Sequence, residues 1–426
     1  MLDTGATVLW FDDLSVSDAA IAGKKGANLG ELTRAGLPVP PGFVVSARAY
    51  RTAMEAAGVR ETLVATRTTD DPLAEGLRKE IATAPLSPAI ADETLAAYHR
   101  LGDGTPVAVR SSAITTDDLS FAGMNETYTN VRGDEQLITA VRACWSSLYS
   151  ARAIAYRAAR GVTEEPAIAV VVQRMVRADR AGVMFSADPA SNDTSRVVVE
   201  AAFGLGEVVV SGQVIPDTYV VHKNGPTVLE VEIGRKTHQI VTGPDGADRR
   251  VDLDPARAAT RVLDDDEVLA LARLAIRVEQ HYGSAQDMEW AIENGRVFLV
   301  QTRPITTLPA RAPAYPGGRR LTSGQGSAPG RVSGPVRLLG SPTEAHRFAA
   351  GDVLVAASTS GEWMPILRRA AALVTDEGGM TCHAAIVSRE LRIPSVVGTR
   401  TATATLRDGE MVTVDGRLGA VFEGVI

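Results

Sequence analysis

Ala372-Leu-Val-Thr-Asp-Glu-Gly-Gly-Met-Thr-Cys-His383-Ala-Ala-Ile-Val-Ser-Arg-Glu-Leu-Arg-Ile-Pro-Ser-Val-Val-Gly-Thr399 is the stretch around which the chain is organised. Ala372 to Thr375 predicts a short buried strand, Gly378 and Gly379 a turn, the segment from near Thr381 a helix, and Ser395 to Gly398, after Pro394, a second strand. His383 then falls in the first helical turn. Backbone N–H groups there have no helical partners and the helix dipole is positive at that end, so an anion is favoured beside the imidazole. A neutral imidazole in that place can attack phosphorus and carry the phosphoryl group as phosphohistidine. A lone histidine near a helix start is also compatible with a structural role. Thr381 offers a cap, Arg389 or Arg392 a cation for a carried phosphate, and Cys382 either a small packing residue or a reactive thiol.

The whole string resembles the phosphohistidine segment of the phosphoenolpyruvate synthase and pyruvate phosphate dikinase family, whose Gly-Gly-x-Thr-Cys-His-Ala-Ala-Ile-Val-x-Arg-Glu-Leu-x-Ile-Pro-x-Val-Val-Gly pattern it follows almost position for position. The resemblance implies that His383 is a phosphocarrier.

At 426 residues the chain is too long for one ordinary core, and two or three domains are expected. With 45% hydrophobic and 22% charged residues it reads as globular. A formal charge of -7 and the lack of a polybasic run give no support for nucleic acid or an anionic membrane as partner. Cys144 and Cys382 have no metal-ligand spacing and fit a reducing compartment. The acidic N-terminus carries no basic segment ahead of an apolar one, and no apolar run reaches membrane-spanning length, so a cytoplasmic protein is expected.

Val8 to Phe11 reads as a first strand, followed by Gly23-Lys-Lys-Gly-Ala-Asn-Leu-Gly-Glu-Leu32. A glycine turn ahead of an amphipathic helix can wrap triphosphate, and a lysine beside it can neutralise phosphate oxygens. Together with Val39-Pro-Pro-Gly-Phe43 this resembles the opening of the family's ATP-grasp domain, with Lys25 at the phosphate-binding lysine and Lys24 where many members have glycine. Tyr50 to Arg100 reads as mostly helical, with His99 structural or at the surface. Val107-Ala-Val-Arg-Ser-Ser-Ala113 is an apolar strand from which Arg110 can grip phosphate in a fork. With Ser120-Phe-Ala-Gly123 and Glu126-Thr-Tyr128 it resembles the family's nucleotide-covering loop, here shorter and with Met124 in place of a polar residue. Loop closure over ATP is where the resemblance implies a difference.

Ala151 to Gly161 predicts a helix, and Ala167-Ile-Ala-Val-Val-Val-Gln-Arg-Met-Val176 an apolar strand. By resemblance Gln173, Met175 and Val176 are adenine-site candidates; a core strand with a surface Gln is the alternative. Ala181 to Pro189 matches the following strand, with Ser186 where Thr is common, and Gly204-Leu-Gly-Glu207 supplies a second glycine turn. Glu200 and Asp217 are further acids, while Arg235, Lys236 and His238 lie in a charged segment of undecided role. After the helix Asp264 to Tyr282, Gln286-Asp-Met-Glu-Trp-Ala291 and Val297-Phe-Leu-Val-Gln-Thr-Arg-Pro304 predict two strands joined at Glu293-Asn-Gly295. Glu289 and Gln301 can present oxygens to magnesium, Asp287 lies on the same face, and Arg303 stands one step beyond. The family's Gln-Asp-x-Glu-Trp-Ala and Gln-x-Arg-Pro-Ile signatures imply the same roles.

The proline-rich, aperiodic Thr306 to Arg320 reads as a linker. The expected architecture is α/β and α+β multidomain: an ATP-grasp nucleotide-binding domain (1–306), a linker (307–320), and a small swivelling β/β/α phosphohistidine domain (321–426). In the last, Trp363 to Ala370 predicts a helix, and Thr359-Ser-Gly-Glu362 departs from the usual Thr-x-Pro-Asp turn. With the sequence ending at Ile426, the family's pyruvate-binding barrel is expected to be missing, and a linker is expected where the related rifampin phosphotransferases carry a drug-binding domain. The resemblance implies a dikinase-type phosphotransferase with ATP and Mg2+ as cofactors: Lys25, Arg110 and Arg303 on the phosphates, Glu289 and Gln301 on the metal, and His383 taking the phosphoryl group. Three readings of the next step stay open: a small-molecule phosphoryl acceptor, a separate acceptor-domain protein in a split phosphoenolpyruvate synthase, or a nucleotide-binding regulatory protein that keeps the fold alone.

Overall fold

The computed structural model describes residues 6–58, 72–84, 86–114, 126–150, 153–154, 166–189, 193–305, 318–380 and 382–426. The expected helix Ala151 to Gly161 apart from residues 153–154, the loop carrying Phe121 and Met124, most of the linker, and Thr381 lie outside them.

The described chain divides into two compact units. The first comprises residues 1–176, 242–248 and 298–302. Its sheet runs β1 (Val8–Trp10), β2 (Gly42–Val45), β5 (Ile168–Arg174), β3 (Val107–Ala113), β4 (Thr127–Val131), with each neighbouring pair antiparallel. Alternation along β5 explains its unbroken apolar sequence. Val170 and Val172 join Phe43, Tyr50, Tyr98, Trp145 and Tyr149 in one cluster, while Ala169 and Val171 join Val44, Phe11, Leu14 and Leu29 in another. Both faces are covered, so both alternate sets are apolar. The first strand ends one residue earlier than expected because Phe11–Asp13 forms a 3-10 turn. Helices Ala47–Ala56, Pro72–Thr83 and Pro88–Leu101 fill the helical stretch expected before β3.

The second unit comprises residues 177–241, 249–297 and 303–426. One sheet contains β12 (Gln286–Glu293), β6 (Arg180–Phe185), β7 (Arg196–Phe203), β8 (Asp217–His222) and β9 (Thr227–Glu232) in that order, all antiparallel. β10 (His238–Thr242) and β11 (Asp248–Asp252) form a two-stranded ribbon. Helix Asp265–Tyr282 starts at a reciprocal cap, in which the Asp264 side chain accepts from Glu267 N–H, and stops at Gly283 in the left-handed region. β12 turns into β13 (Arg296–Pro304) through Asn294 and Gly295, both at positive φ (51° and 75°), as a tight hairpin requires.

The C-terminal part of this unit is an eight-stranded sheet. Its order is β14 (Arg320–Ser323), β21 (Ala420–Glu423), β20 (Met411–Asp415), β16 (Arg331–Leu338), β17 (Val353–Ala356), β18 (Ala372–Thr375), β19 (Ser395–Val397), β15 (Gln325–Ala328). β16 through β19 are parallel and the other described pairs antiparallel. Leu354, Leu373 and Val397 pack with Trp363, Ile366, Ala384, Ala385 and Val387 on one face, whereas Val353, Val355, Val374 and Val396 pack with Val412, Val414 and Val421 on the other. The helix expected from Trp363 to Ala370 is reduced to Met364–Leu367 after a 3-10 turn at Gly361–Trp363.

Candidate active site

In the first unit, the helix assigned to Ala19–Arg34 is broken at Gly23, whose φ is +68°. Ser112 fixes this kink: its hydroxyl donates to Ala22 O (2.9 Å) and accepts from Gly26 N–H (3.2 Å). A Cβ at Gly23 would stand 2.2 Å from that hydroxyl oxygen, so glycine is required both for its φ and for room. Lys24 is exposed and Lys25 half-buried just past the kink, where backbone donors of a new helical turn begin.

Arg110, in the middle of β3, donates from Nη1 to Val300 O at 2.8 Å, and Asn28 donates from its amide to Thr302 O at 3.2 Å. These two side chains grip the carbonyls on either side of Gln301, which is half-buried. The structure therefore brings the Lys25 helix, Arg110 and Gln301 together within one unit. Gln173 is buried and its amide reaches Pro40 O at 3.4 Å; Met175 N–H donates to Pro106 O at 2.8 Å. Val176 is also buried and is the last residue of its segment of this unit.

The second unit holds the remaining expected residues. Asp287 and Glu289 alternate on β12, and Arg303 Nε bonds Asp287 Oδ2 at 2.9 Å. Burial works against the Arg303 charge, but Asp287 outweighs it, with Glu289 and then Glu390 adding, so the guanidinium is held more firmly protonated than usual. Asp287 is thus first of all the counter-ion of Arg303.

The charged segment left undecided by sequence has a structural answer. Lys236 and Asp217 form a fully buried ion pair. Asp217 also accepts from Gly234 N (2.9 Å), Val262 N (2.7 Å) and Tyr219 OH (3.1 Å). His238 is buried with Nε2 3.1 Å from Gln213 Oε1, and burial pulls its pKa below the ordinary histidine value. His99 is exposed between Asp103 and Asp134, which raise its pKa, the Asp103 hydrogen bond most.

Helix His383–Leu391 starts two residues later than expected. Its N-cap is Cys382, whose Sγ accepts from Ala385 N–H at 3.4 Å. The thiol is buried and its pKa is pushed up to about 11, so packing and capping are its role rather than reactivity. Arg389 is buried and spans the turn, donating to Met380 O (2.6 Å) and Ser327 O (3.1 Å); it braces the turn instead of facing a carried phosphate. Arg392 closes the helix at a left-handed φ of 56°. His383 is half-buried, with Nδ1 3.3 Å from Thr359 Oγ1.

Two partners of this turn escaped sequence reasoning. Thr359 lies 24 residues from His383 in sequence and reaches it only because β17 and β18 are adjacent. Glu200, fully buried on β7, accepts the Met380 N–H at 2.7 Å, a contact across 180 residues for which no local pattern exists. Among the described residues no group of three or more His, Cys, Asp or Glu side chains could hold a metal ion, and no helix is long and apolar enough to cross a membrane.

The family pattern described as "Pyruvate phosphate dikinase, AMP/ATP-binding domain" matches residues 19–316, and that described as "PEP-utilising enzyme, mobile domain" matches residues 348–419. The chain is 45% identical to a probable phosphoenolpyruvate synthase of Archaeoglobus fulgidus, over 98% of its own length and 58% of the relative's. It is 43% identical to a probable phosphoenolpyruvate synthase of Methanothermobacter thermautotrophicus, over 98% and 64%. The phosphoenolpyruvate synthase of Pyrococcus furiosus is 37% identical, over 98% and 59%. The chain thus spans about three fifths of the length of these relatives. With most of its length matched by the first pattern and the His383 segment inside the second, the chain belongs to the pyruvate phosphate dikinase and phosphoenolpyruvate synthase family of phosphotransferases.

Proposed function

We propose that the chain carries out the donor half of a dikinase-type phosphotransfer: ATP, water and His383 give AMP, inorganic phosphate and phosphohistidine. The observation that carries this reading is the seating of the His383 helix start. Met380 N–H rests on Glu200, and the compact unit that contains both also contains the Asp287–Arg303 pair and Glu289. The domains are proposed as 1–306 (ATP-grasp), 307–320 (linker) and 321–426 (mobile phosphohistidine domain).

Within the first unit Lys25 and Arg110 are assigned to phosphate oxygens and Gln173, Met175 and Val176 to the adenine side. Because Met175 N–H already bonds Pro106 O, its contribution to adenine is through its carbonyl and side chain. Arg303 is assigned to phosphate in the second unit. Glu289 and Gln301 are assigned to magnesium, an ion that takes few protein oxygens and keeps phosphate and water as its other ligands; when bound it would neutralise developing phosphate charge. Asp287 keeps Arg303 charged and aimed, and Thr359 orients the nucleophile. With the Nδ1–H of His383 donating to Thr359 Oγ1, the ring's lone pair is on Nε2, which is then the attacking atom. Catalysis is by alignment and charge neutralisation.

The relatives' names make pyruvate the first small-molecule acceptor to test. Incubation with β- and γ-labelled ATP, separation of AMP from ADP, and detection of acid-labile label on His383 test the proposal. AMP with labelled His383 is the expected result; ADP as sole nucleotide product, or unchanged labelling of a His383→Ala variant, rejects it.

A further inference from the structure

We infer that Gly212 is a positioning residue for this transfer: it is the seat on which the turn before His383 closes, and it must carry no side chain. The inference rests on the donor reading above. Gly212 follows the short helix Glu207–Val210, donates its N–H to Val209 O at 3.0 Å, and has φ +69°. That backbone alone admits glycine or asparagine. A second demand comes from the C-terminal sheet domain. A Cβ on Gly212 would lie 2.6 Å from the Cys382 Cβ and 3.6 Å from Gly378 Cα, and Cys382 immediately precedes His383.

The neighbouring contacts are of the same kind. Gly379 has no room for a Cβ, which would stand 2.9 Å from Glu200 Oε1 and 3.1 Å from Pro216 Cγ, while Met380 N–H bonds Glu200. Gln325 to Thr218 (2.8 Å) and Arg400 to Glu232 (3.7 Å) are further polar contacts of the C-terminal domain with strands β8 and β9. The His383 turn is therefore registered by two close-packed glycines, Gly212 against the Cys382 Cβ and Gly379 against the buried Glu200 carboxylate and the Pro216 ring, with Met380 N–H held on Glu200. A side chain at position 212 displaces the turn and His383 with it, and misplacement by about an ångström costs on the order of 100-fold in a transfer that depends on alignment.

Gly212→Asn separates this role from the backbone demand, because asparagine tolerates positive φ. Gly225→Asn is the control: its φ is +63° and nothing lies within 4 Å of the added Cβ. ATP binding, by calorimetry, and the rate of His383 labelling from ATP are measured for both variants and the parent. The expected result is ATP affinity within twofold of the parent for both variants, with labelling about 100-fold slower in Gly212→Asn and unchanged in Gly225→Asn. Labelling of Gly212→Asn at the parental rate, or an equal loss in Gly225→Asn, overturns the inference while leaving the donor reading intact. A parent that never labels removes that reading, and this inference with it.

Discussion

Lys236→Met tests whether the buried pair with Asp217 is a structural clamp. Both side chains have 0% exposure, and methionine keeps much of the lysine stem while removing the ammonium. Breaking a buried ion pair from one side costs about 3–5 kcal/mol, because the remaining charge is stranded. Here Asp217 retains Gly234 N–H, Val262 N–H and the Tyr219 hydroxyl as donors. Those three bonds place the cost at the low end, about 3 kcal/mol, or a fall of roughly 6–12 °C in the Tm of this unit. Asp217→Asn combined with Lys236→Met removes both charges, but an amide accepts at one oxygen only and leaves one of the two backbone N–H groups without an acceptor, so only part of the loss should return. The assay is urea and thermal unfolding followed by far-UV circular dichroism, with His383 labelling in parallel. Since Pro216 abuts Gly379, labelling should weaken in Lys236→Met before global unfolding. A single variant within about 0.5 kcal/mol of the parent would refute the reasoning, as would a double variant less stable than the single one.

Three further outcomes are expected. Ser112→Ala strands Ala22 O and Gly26 N–H at the Gly23 kink; a stability loss of about 1–3 kcal/mol and weaker ATP binding should be seen by calorimetry, and unchanged ATP affinity would detach the kink from nucleotide binding. Thr359→Val should slow His383 labelling about tenfold with ATP affinity preserved, because the imidazole loses its orienting partner, and Thr359→Ser should restore most of the rate. Cys382, with its thiol pushed up to about 11 by burial and secondarily by Glu200, should react with iodoacetamide at pH 8 about 100-fold more slowly than an ordinary thiol. The stability linked to that shift is complete below the ordinary thiol value near 9 and disappears as pH rises through about 11; a Cys382→Ala chain should lack this part of the alkaline loss in unfolding measurements.

The strand–turn–helix–strand around His383 was legible because each step has a local cause: the apolar run of β18, Gly378 at φ +103°, and Pro394 ahead of β19. The β12–β13 hairpin was equally legible from Asn294 and Gly295. The cap was not: Thr381 has the better capping chemistry, yet Cys382 occupies the N-cap. Arg389 looked like a phosphate ligand because a cation near a phosphocarrier suggests one. Only three-dimensional packing directs it inward onto Met380 O and Ser327 O.

Sequence by itself placed His383 in the first turn of a helix, Lys25 just past a glycine turn, Asp287 and Glu289 on one face of a strand, and an apolar run along β5, since all of these depend on residue type and short-range period. Tertiary structure alone decided that Thr359 meets His383, that Glu200 receives Met380, that Gly212 faces Cys382, and that Lys236 is buried against Asp217. Those pairs are 24, 180, 170 and 19 residues apart, beyond the reach of any helical or strand period. Their partners are chosen by strand order and by which backbones approach closely enough to exclude a side chain.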